Sequence, residues 1–446
     1  MELPTPSSRT LPTPLTAGQF PLSHDQVSAL ESIPDMRTYG RCIFITGKAG
    51  TGKSTVLREF VQSSPLMKVV LAPTGLAAIN VGGQTIHSFF NFHLGPIEND
   101  PDQIPVFRKG GSKRRLIEKL DCIVIDEVSM VRADIMDAID YSLRLNTEVN
   151  EPFGGKTMVL VGDLWQLEPV VGGNAEQEMI SHRYASPFFF DSQAVRDTSL
   201  DVIELQTVHR QKDDPEFLWA LNKLRKGETD EIEYFNERVG TVLEGENIIT
   251  LTATNARANA INLAALNKLP TTSRTYKGTA EGNFGNEFPA DPILTLKVGA
   301  QVMFVKNAKH WVNGMLGTVV SLDEDVISVR TDRGEIVAVE RETWEKNRFT
   351  WDRHQFRIQA EAVGSYLQFP LRLAWAVTIH KSQGLTFDNL ILDLDRRAFA
   401  HGQLYVALSR CRTLAGLSLR NAIVAQDSIV HPRVWEFEKL AGLVPS

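Results

Sequence analysis

The sequence has few of the features that mark membrane, secreted or zinc-binding proteins. No stretch of its 446 residues approaches the roughly 20 consecutive apolar residues that a membrane-spanning helix needs. It has only three cysteines, Cys42, Cys122 and Cys411, and none forms a C-x-x-C pair, which argues against a cysteine-rich metal site and fits a reducing cytoplasm. Residues 1–18 are rich in Pro, Ser and Thr and lack the apolar core of a signal peptide, so we expect a disordered lead-in there.

An excess of positive charge, the usual mark of a nucleic-acid-binding protein, is also missing. The chain has 47 Lys and Arg against 54 Asp and Glu, a formal net charge of −7. This balance argues against binding through a broadly basic surface, but it does not exclude a narrow basic path. One basic run stands out, and it is either an arm that contacts DNA phosphates or a solvated loop balanced by the acidic residues before it. Its basic residues are Arg108, Lys109, Lys113, Arg114 and Arg115.

Short apolar segments alternate with helical segments, which is typical of βαβ units and parallel sheets. Segments at 43–46, 69–72, 121–125 and 157–161 predict one α/β domain, and those at 202–205, 248–252, 374–379 and 390–394 predict a second. Between about 289 and 368 the pattern changes to short strands separated by turns, which predicts an inserted β-barrel. The expected boundaries are 19–198 for the first domain, 199–288 and 369–446 for the second, and 289–368 for the insertion.

A phosphate-binding loop is the strongest local signal in the sequence. Residues 47–54, GKAGTGKS, match G-x-x-x-x-G-K-[ST] and lie between a predicted strand and a predicted helix. The glycines let backbone N–H groups curl around phosphate oxygens, and the helix N-terminus adds partial positive charge. We expect Lys53 to reach the β- and γ-phosphates of a nucleotide and Ser54 to bind Mg²⁺. The predicted nucleotide-binding residues here are Gly47, Gly50, Thr51, Gly52, Lys53, Ser54 and Thr55.

Two further strands end in polar residues that suit nucleotide chemistry. The apolar segment 122–125 leads into Asp126, a hard oxygen ligand suited to Mg²⁺, and Glu127, which could orient or deprotonate an attacking water. The segment 157–161 is followed by Gly162-Asp163, and then by Gln166, which can bond both a γ-phosphate and a water. Taken alone, these residues would also fit a solvated strand end and a polar turn.

Two distant arginines and one glutamine could complete such a site. Arg210 lies in TVHRQ, and Arg410 follows an apolar helix. A guanidinium from a second domain would stabilise the charge that builds on the transferring phosphoryl group, although either arginine alone also fits a surface ion pair. Gln26 follows the predicted helix cap Ser23 and has the donor and acceptor needed to read an adenine edge.

The order of these segments resembles that of superfamily 1 helicases of the RecD-like branch, and more narrowly the PIF-one (petite integration frequency) family of 5′-to-3′ DNA helicases. Matching segments run from Leu22 to Arg410. The resemblance implies an α/β fold of two tandem RecA-like P-loop motor domains, an SH3-like β-barrel inserted in the second and a small wedge insertion at about 89–118 in the first. The most specific segments are APTGLAA at 72–78, GQTIHSFF at 83–90, IDEVSM at 125–130, TIHKSQG at 378–384 and YVALSR at 405–410.

The resemblance also implies roles for individual residues. Gln26 would read adenine, and Gly384 would touch the γ-phosphate from the second domain. The implied catalytic residues are Lys53, Glu127, Gln166, and the arginine fingers Arg210 and Arg410. The implied contacts with single-stranded DNA are Thr74, His87 and Ser88 in the first domain and Thr252, Asn255, His380 and Lys381 in the second.

By resemblance, the protein would use ATP and Mg²⁺ to translocate on single-stranded DNA and to unwind duplex, forked, G-quadruplex and RNA–DNA hybrid structures. This activity would serve DNA repair, recombination and telomere maintenance. The protein would be a monomer when free and need no membrane, and a single-strand-binding protein would be a further partner. It would work in the bacterial cytoplasm near the nucleoid, or in the nucleus or mitochondrion of a eukaryote.

Other interpretations stay open on sequence alone. An RNA helicase, the motor subunit of a RecD-like complex and a non-catalytic nucleic-acid scaffold all fit parts of the pattern. RNA and DNA cannot be told apart here, because the 2′-hydroxyl is recognised by local geometry that the sequence does not show. Glu168 stands where the family commonly has Pro. Phe89, Phe90 and Trp311 could stack on bases or fill hydrophobic cores.

Overall fold

The computed structural model describes residues 22–33, 40–93, 95, 97, 104–209, 214–245, 247–284, 288–352, 357–395 and 397–443. The lead-in expected at 1–18 and the predicted arginine finger Arg210 lie outside these residues. None of the helices in the described part of the chain is long and apolar enough to cross a membrane.

The first domain is built on a six-stranded parallel sheet flanked by helices. In chain order its elements are α1 (His24–Ser32), β1 (Cys42–Gly47), α2 (Lys53–Ser63), β2 (Lys68–Ala72), α3 (Gly75–Asn80), β3 (Gln84–Thr85), α4 (Ile86–Phe90), α5 (Ser112–Lys119), β4 (Cys122–Ile125), α6 (Ala133–Thr147), β5 (Thr157–Val161), α7 (Asn174–Arg183), α8 (Gln193–Arg196) and β6 (Leu200–Leu205). The strands pair in the order β3-β2-β4-β5-β1-β6. The carboxyl ends of β1, β4 and β5 therefore meet at one edge of the sheet.

Both faces of this sheet are covered, which explains why its central strands are largely apolar. Side chains alternate across β1: Phe44 lies in the hydrophobic core on one face, and Ile43 and Ile45 lie in the core on the other. Every residue of β4 and β5 is buried. This burial fixes the backbone from which the polar loops at the sheet edge project.

The predicted boundary between the domains at 198–199 is wrong. Strand β6 pairs in parallel with β1, from Leu200 beside Cys42 to Leu205 beside Gly47, so the first domain extends at least to Leu205. An apolar strand shows in sequence that it will be buried, but not which sheet it will join. That choice depends on pairing with a strand far earlier in the chain.

The second domain begins with α9 (Pro215–Arg225), α10 (Ile232–Asn236), β7 (Ile249–Thr252) and α11 (Asn255–Lys268). An antiparallel β insertion follows, formed by β8 (Ser273–Lys277), β9 (Thr279–Gly282), β10 (Ile293–Lys297), β11 (Gln301–Phe304), β12 (Leu316–Leu322), β13 (Val326–Thr331), β14 (Ile336–Glu340), β15 (Glu342–Asp352), β16 (Arg357–Gln368) and β17 (Leu371–Leu373). The domain resumes with β18 (Ala376–Thr378), β19 (Leu390–Asp393), α12 (Gln403–Leu408), β20 (Leu417–Leu419) and α13 (Pro432–Leu440). Its parallel sheet has the order β18-β7-β19-β20.

The insertion is longer than the predicted range of 289–368, because its strands run from Ser273 to Leu373. Five of its strands form an antiparallel sheet in the order β14-β13-β12-β11-β17. This sheet and the two-stranded pair of β8 and β10 pack around one hydrophobic core. Trp311 belongs to that core, where it is 7% exposed and stacks on Phe304 with ring centroids 4.7 Å apart. The core role of Trp311 is thus the correct one, whereas the SH3-like form of the barrel stays a prediction.

A long hairpin extends from the insertion to the first domain. It consists of β15 and β16, and β15 lies against α5, α4 and β3 of the first domain. A second contact joins the same two units, since Asn313 Nδ2 donates to Asn80 Oδ1 at 3.2 Å. The insertion therefore bridges the two domains, which the sequence pattern did not indicate.

The last helix also crosses to the first domain, although it falls in the 369–446 range predicted for the second. Val434 of α13 lies in the first-domain core, and Phe437 stacks on Phe190 with centroids 4.5 Å apart. Arg433 pairs with the buried carboxylate of Asp191. The amphipathic pattern of a helix predicts that one face is buried, but not against which domain.

Candidate nucleotide site between the two domains

The phosphate-binding loop folds as its glycines predict. Gly50 and Gly52 both have a φ of 82°, in the left-handed region, and helix α2 begins directly after Gly52. The φ of Gly52 would strain any residue with a side chain, and a Cβ there would also displace the Gln26 amide, whose Nε2 lies 2.2 Å away. Lys53 Nζ donates to the carbonyl oxygens of Gly47 at 2.7 Å and Lys48 at 3.1 Å.

Gln26 lies against this loop, as expected for a residue at the nucleotide site. Its Nε2 donates to the Thr51 carbonyl at 3.0 Å, and its Oε1 accepts from the Ser23 backbone N–H at 3.0 Å. The second bond is half of the capping box that starts α1. The helix cap thus fixes the amide that the sequence assigns to adenine recognition.

Asp126 and Glu127 lie together at the carboxyl end of β4. Burial and the neighbouring charge of Glu127 raise the pKa of Asp126 to about 7. Burial also raises the pKa of Glu127, although the positive charges of Lys53 and Arg410 oppose this. Glu127 has a φ of 51°, which is strained for a non-glycine residue and is typical of functional sites. Lys53, Glu127 and Arg410 are therefore brought together as predicted.

Residues of the second domain reach the phosphate-binding loop directly. The Tyr405 hydroxyl accepts a hydrogen bond from the backbone N–H of Ala49 at 3.1 Å. Arg410 is 2% exposed, and its guanidinium donates to the Val406 carbonyl and the Ser409 hydroxyl. Gly384 lies on the same domain with a φ of 76°, and its predicted contact with a γ-phosphate stays a prediction. The site is thus shared between the two domains.

Gln166 is held by a buried ion pair that sequence reasoning missed. Its Nε2 donates to Asp163 Oδ2 at 3.1 Å, and Asp163 Oδ1 accepts from Arg225 Nη2 of α9 at 2.9 Å. Burial raises the pKa of Asp163, but the charges of Arg225 and Lys53 more than offset this and lower it. Arg225 gave no sequence signal, because a cation in the last turn of a helix is an ordinary feature.

His401 is a second residue that the sequence did not reveal. Its Nδ1 accepts from the His431 backbone N–H at 2.9 Å, so its Nε2 carries the proton and donates to the Leu164 carbonyl at 2.7 Å. Burial lowers the pKa of His401 to about 4, which keeps the ring neutral. The backbone N–H of His401 also donates to Glu168 Oε1 at 3.3 Å. Glu168 therefore has a contact across the domain interface that a proline there could not make.

Gly402 is expected to tolerate no side chain. Its φ is 68°, and a Cβ would lie 2.4 Å from the Gln166 carbonyl oxygen and 2.5 Å from that of Trp165. We expect Gly402→Ala to destabilise the domain interface by about 1–3 kcal/mol from overpacking, in addition to about 1–2 kcal/mol for the left-handed backbone. Thermal unfolding measures the effect.

Gly240→Ala is the matched control for this prediction. Gly240 has the same φ of 68°, but apart from its own chain neighbours no atom of the described residues lies within 4 Å of the position that a Cβ would take, so it isolates the backbone cost. Equal losses of thermal stability in the two variants would show that the approach of Gly402 to the first domain has no energetic importance.

Most predicted strand-contact residues lie at least partly exposed beyond the carboxyl ends of strands. Thr74 caps α3 by accepting from the Ala77 N–H at 3.2 Å, and Ser88 accepts from Gln84 Nε2 at 2.8 Å. Both are half-buried, as are His87 and His380, whereas Asn255 and Lys381 are exposed. Their contacts with DNA stay predictions.

Thr252 does not fit its predicted role. It is 0% exposed, and its hydroxyl donates to the Thr254 carbonyl at 3.0 Å, so it stabilises the backbone of the loop and does not face solvent. The exposed residues at that position are Thr254 and Asn255, which start α11. The motif shows which loop is near the surface but not which of its side chains points outward.

The basic run is an ordered part of the first domain. Arg114 is 3% exposed and pairs with Glu118 at 3.1 Å and Glu148 at 3.0 Å, and Lys109 also pairs with Glu148. Lys113 lies over the ring of Phe89. The acidic residues before the run that the sequence suggested as partners, Glu98, Asp100 and Asp102, lie outside the described residues. Phe89 and Phe90 are fully buried, which confirms that they fill the apolar core.

Known proteins are similar to this chain in both sequence and fold. A family model described as PIF1-like helicase matches residues 21–250, and one described as UvrD-like helicase C-terminal domain matches 373–418. The chain is 34% identical to the ATP-dependent DNA helicase Pif1 of Bdellovibrio bacteriovorus, over 94% of this chain and 92% of that protein. It spans about 60% of the length of the vertebrate relatives it matches.

Solved structures of Bacteroides Pif1 match along nearly the whole chain. The complex with ADP-AlF4 gives a TM-score of 0.85 at 38% identity and covers 95% of this chain and 98% of that one. The complex with ssDNA gives a TM-score of 0.69 at 38% identity, over 94% and 97% of the two chains. Since both the family model and the Bdellovibrio relative cover most of the residues that build the site, the chain belongs to the PIF1-like helicase family.

Proposed function

We propose that this chain is an ATP-dependent DNA helicase that moves 5′ to 3′ on single-stranded DNA and unwinds the duplex ahead of it. The observation that carries the proposal is the shared site, in which Tyr405 contacts the phosphate-binding loop and Arg410 acts on Glu127 from the second domain. A nucleotide bound between the two domains would therefore control their position relative to each other. The matched Bdellovibrio protein is named an ATP-dependent DNA helicase, which supports the same activity here.

In this proposal each residue has a distinct part in hydrolysis. Lys53 leaves the loop carbonyls that it now contacts and binds the β- and γ-phosphates. Glu127 orients and deprotonates the attacking water, and its raised pKa makes it a stronger base than an ordinary carboxylate. Gln166 senses the γ-phosphate, and Arg410 stabilises the charge that develops on it. Arg210 would be the second arginine finger.

The carboxylates fit a magnesium ion. Among the described residues there is no cluster of three or more His, Cys, Asp or Glu side chains that could hold a metal by themselves. Magnesium in such enzymes is held by one or two protein groups together with substrate phosphates. The raised pKa of Asp126 beside Glu127 indicates a site that would be stabilised by a cation. Asp126 and the exposed Ser54 hydroxyl would hold it, and it would neutralise phosphate charge.

Movement on DNA would follow from closing and opening of the cleft. Thr74, His87 and Ser88 would hold the strand on the first domain, and Asn255, His380 and Lys381 would hold it on the second. If the two sets grip alternately, each hydrolysed ATP advances the strand by about one nucleotide. Since phosphate contacts would dominate, binding should weaken with salt and tolerate any sequence.

The proposal extends to forked duplex, G-quadruplex and RNA–DNA hybrid substrates, to work as a monomer and to cooperation with a single-strand-binding protein. The family resemblance supports these extensions. Activity on these substrates would serve DNA repair and recombination, and telomere maintenance in a cell that has telomeres.

Unwinding of tailed duplexes tests the proposal. We expect ATP and Mg²⁺ to support unwinding of a DNA duplex with a 5′ single-stranded tail, and little unwinding of the same duplex with a 3′ tail. Lys53→Ala is the control and should lose activity on both. Preference for the 3′ tail would contradict the direction, and preference for an RNA tail would favour an RNA helicase. If neither DNA nor the Lys53→Ala substitution changed the rate of ATP hydrolysis, the assignment of the nucleotide site would be wrong.

A further inference from the structure

We propose that Arg225 is a positioning residue that couples the γ-phosphate to the position of the second domain. It acts through Asp163 on Gln166, so it would determine how much unwinding each ATP produces. The inference rests on the proposed helicase function and deepens it, because it names a residue outside the motifs that the sequence assigned to the site.

The segment 163–168, here called the sensor segment, belongs to both domains at once. It follows β5 of the first domain and contains Gln166. Leu164 and Trp165 lie in the first-domain core, but Leu167 lies in the second-domain core. Displacement of the domains relative to each other must therefore move at least one end of this segment.

The polar groups of the sensor segment are also bonded to the second half of the chain. Asp163 and Arg225 form an ion pair in which the residues are 1% and 3% exposed. The Trp165 indole N–H donates to Glu438 of α13. His401 donates from Nε2 to the Leu164 carbonyl and from its backbone N–H to the Glu168 carboxylate. Arg225 and His401 thus join the segment to the second domain, whereas Glu438 lies on α13, which packs on the first-domain core.

Arg225 acts on Gln166 through Asp163. Asp163 accepts from both Arg225 and Gln166, on different carboxylate oxygens, so its orientation sets that of the Gln166 amide. The guanidinium also lies over the Trp165 ring, 5.5 Å from its centroid. A planar guanidinium can satisfy both contacts at once, whereas an ammonium group cannot.

Arg225 is also rigidly attached to the second domain and close to the phosphate-binding loop. Phe217, Leu221 and Leu224 of the same helix are buried in the second-domain core. Burial lowers the pKa of Lys48 in the loop, and the positive charge of Arg225 lowers it further. The Arg225 Nε is buried and has no hydrogen-bond partner among the described residues. One donor of this buried arginine is therefore still unused beside the nucleotide site.

These contacts make a chain from the second domain to the γ-phosphate sensor. A shift of α9 moves Arg225, which reorients Asp163 and then Gln166. By thermodynamic linkage, a γ-phosphate bound by Gln166 must bias the position of α9 by the same free energy. Loss of Arg225 should reduce this coupling free energy while the remaining groups of the site stay in place.

The test compares Arg225→Met with the wild-type protein in two measurements. The first is the number of base pairs unwound per ATP hydrolysed. The second is the factor by which ADP-AlF4 changes the affinity for single-stranded DNA. We expect both to fall about 5-fold or more, the lower range of typical allosteric coupling. Arg225→Lys keeps the charge but should recover only part of the loss.

Lys223→Met is the matched control, because Lys223 lies on the same helix and its partners Glu228 and Glu231 are in its own domain. It should leave both quantities unchanged. Because Arg225→Met leaves the buried Asp163 unpaired, Asp163→Asn with Arg225→Met removes both charges and guards against misfolding. This double variant should lose no more coupling than Arg225→Met alone.

Two outcomes would overturn the inference. One is that Arg225→Met lowers hydrolysis and unwinding in proportion, with base pairs per ATP unchanged, which would make Arg225 a structural residue only. The other is that the loss of coupling in the double variant equals the sum of the losses in Arg225→Met and in Asp163→Asn, each measured alone, which would show that the two residues act separately. Absence of DNA-stimulated ATP hydrolysis in the wild-type protein would instead contradict the proposed function itself.

Discussion

Replacing Arg410 with alanine is expected to lower DNA-stimulated kcat for ATP hydrolysis by about 10³–10⁵-fold, the range typical of arginine fingers. The KM for ATP should change far less, because the guanidinium acts mainly on charge that develops during the reaction. Arg410 is buried at the domain interface, where water does not weaken its field, and its charge already acts on Glu127 and Asp163. Steady-state kinetics with saturating single-stranded DNA measure the loss.

Arg412→Ala is the matched control for Arg410→Ala. Arg412 is two residues further along, its side chain is 58% exposed, and it pairs with Asp388 at 3.1 Å on the same domain. It should keep nearly all activity, because exposed ion pairs contribute little. Arg410→Lys should recover little, since the Val406 and Ser409 contacts fix a planar guanidinium. A kcat for Arg410→Ala within about tenfold of wild type would contradict the role of Arg410 as an arginine finger.

Glu127→Gln is expected to lower kcat by about 10²–10⁴-fold, the usual contribution of a general base. ATP binding should be preserved, because the amide has nearly the same size and the variant removes a negative charge near the phosphates. The variant should therefore accumulate with ATP bound and the cleft closed. Direct ATP binding and single-turnover hydrolysis separate these two effects.

Glu168→Gln provides the comparison for Glu127→Gln, because it makes the same chemical change at the interface. Glu168 contacts the His401 N–H and has no proposed catalytic role, so its variant should keep most of the hydrolysis rate. If Glu127→Gln hydrolysed ATP at close to the wild-type rate, another group would have to activate the water. The strained φ of 51° at Glu127 would then need a different explanation.

Much of the nucleotide site could be predicted from the sequence because its parts are local. The phosphate-binding loop needs glycines, a lysine and a helix start within a few residues, and each of these leaves a visible pattern. Asp126, Glu127 and Gln166 each follow an apolar strand, and parallel strands bring their carboxyl ends to one edge. The core positions of Phe89 and Phe90 followed in the same way from the apolar face of a helix.

The errors and omissions all concern partners that are distant in the chain. The strand β6 joined the first sheet, α13 packed on the first domain and the hairpin of β15 and β16 reached α5, each through contacts between distant parts of the chain. Thr252 lies in a correctly identified loop, but its burial depends on strands that come much later in sequence. Arg225 and His401 looked like an ordinary helix-end cation and a loop histidine, and their importance depends on the sensor segment that they contact.

The sequence by itself determined the chemistry of this protein: a phosphate-binding loop, a pair of carboxylates and a glutamine, held at the edge of a parallel sheet. Local backbone geometry and the burial of apolar strands were sufficient for that. Only the tertiary structure decided how the chemistry is connected to the second domain, through the contacts of Asp163 with Arg225, Ala49 with Tyr405 and Leu164 with His401. These contacts depend on how the two domains pack together, and no local pattern of residues encodes that arrangement.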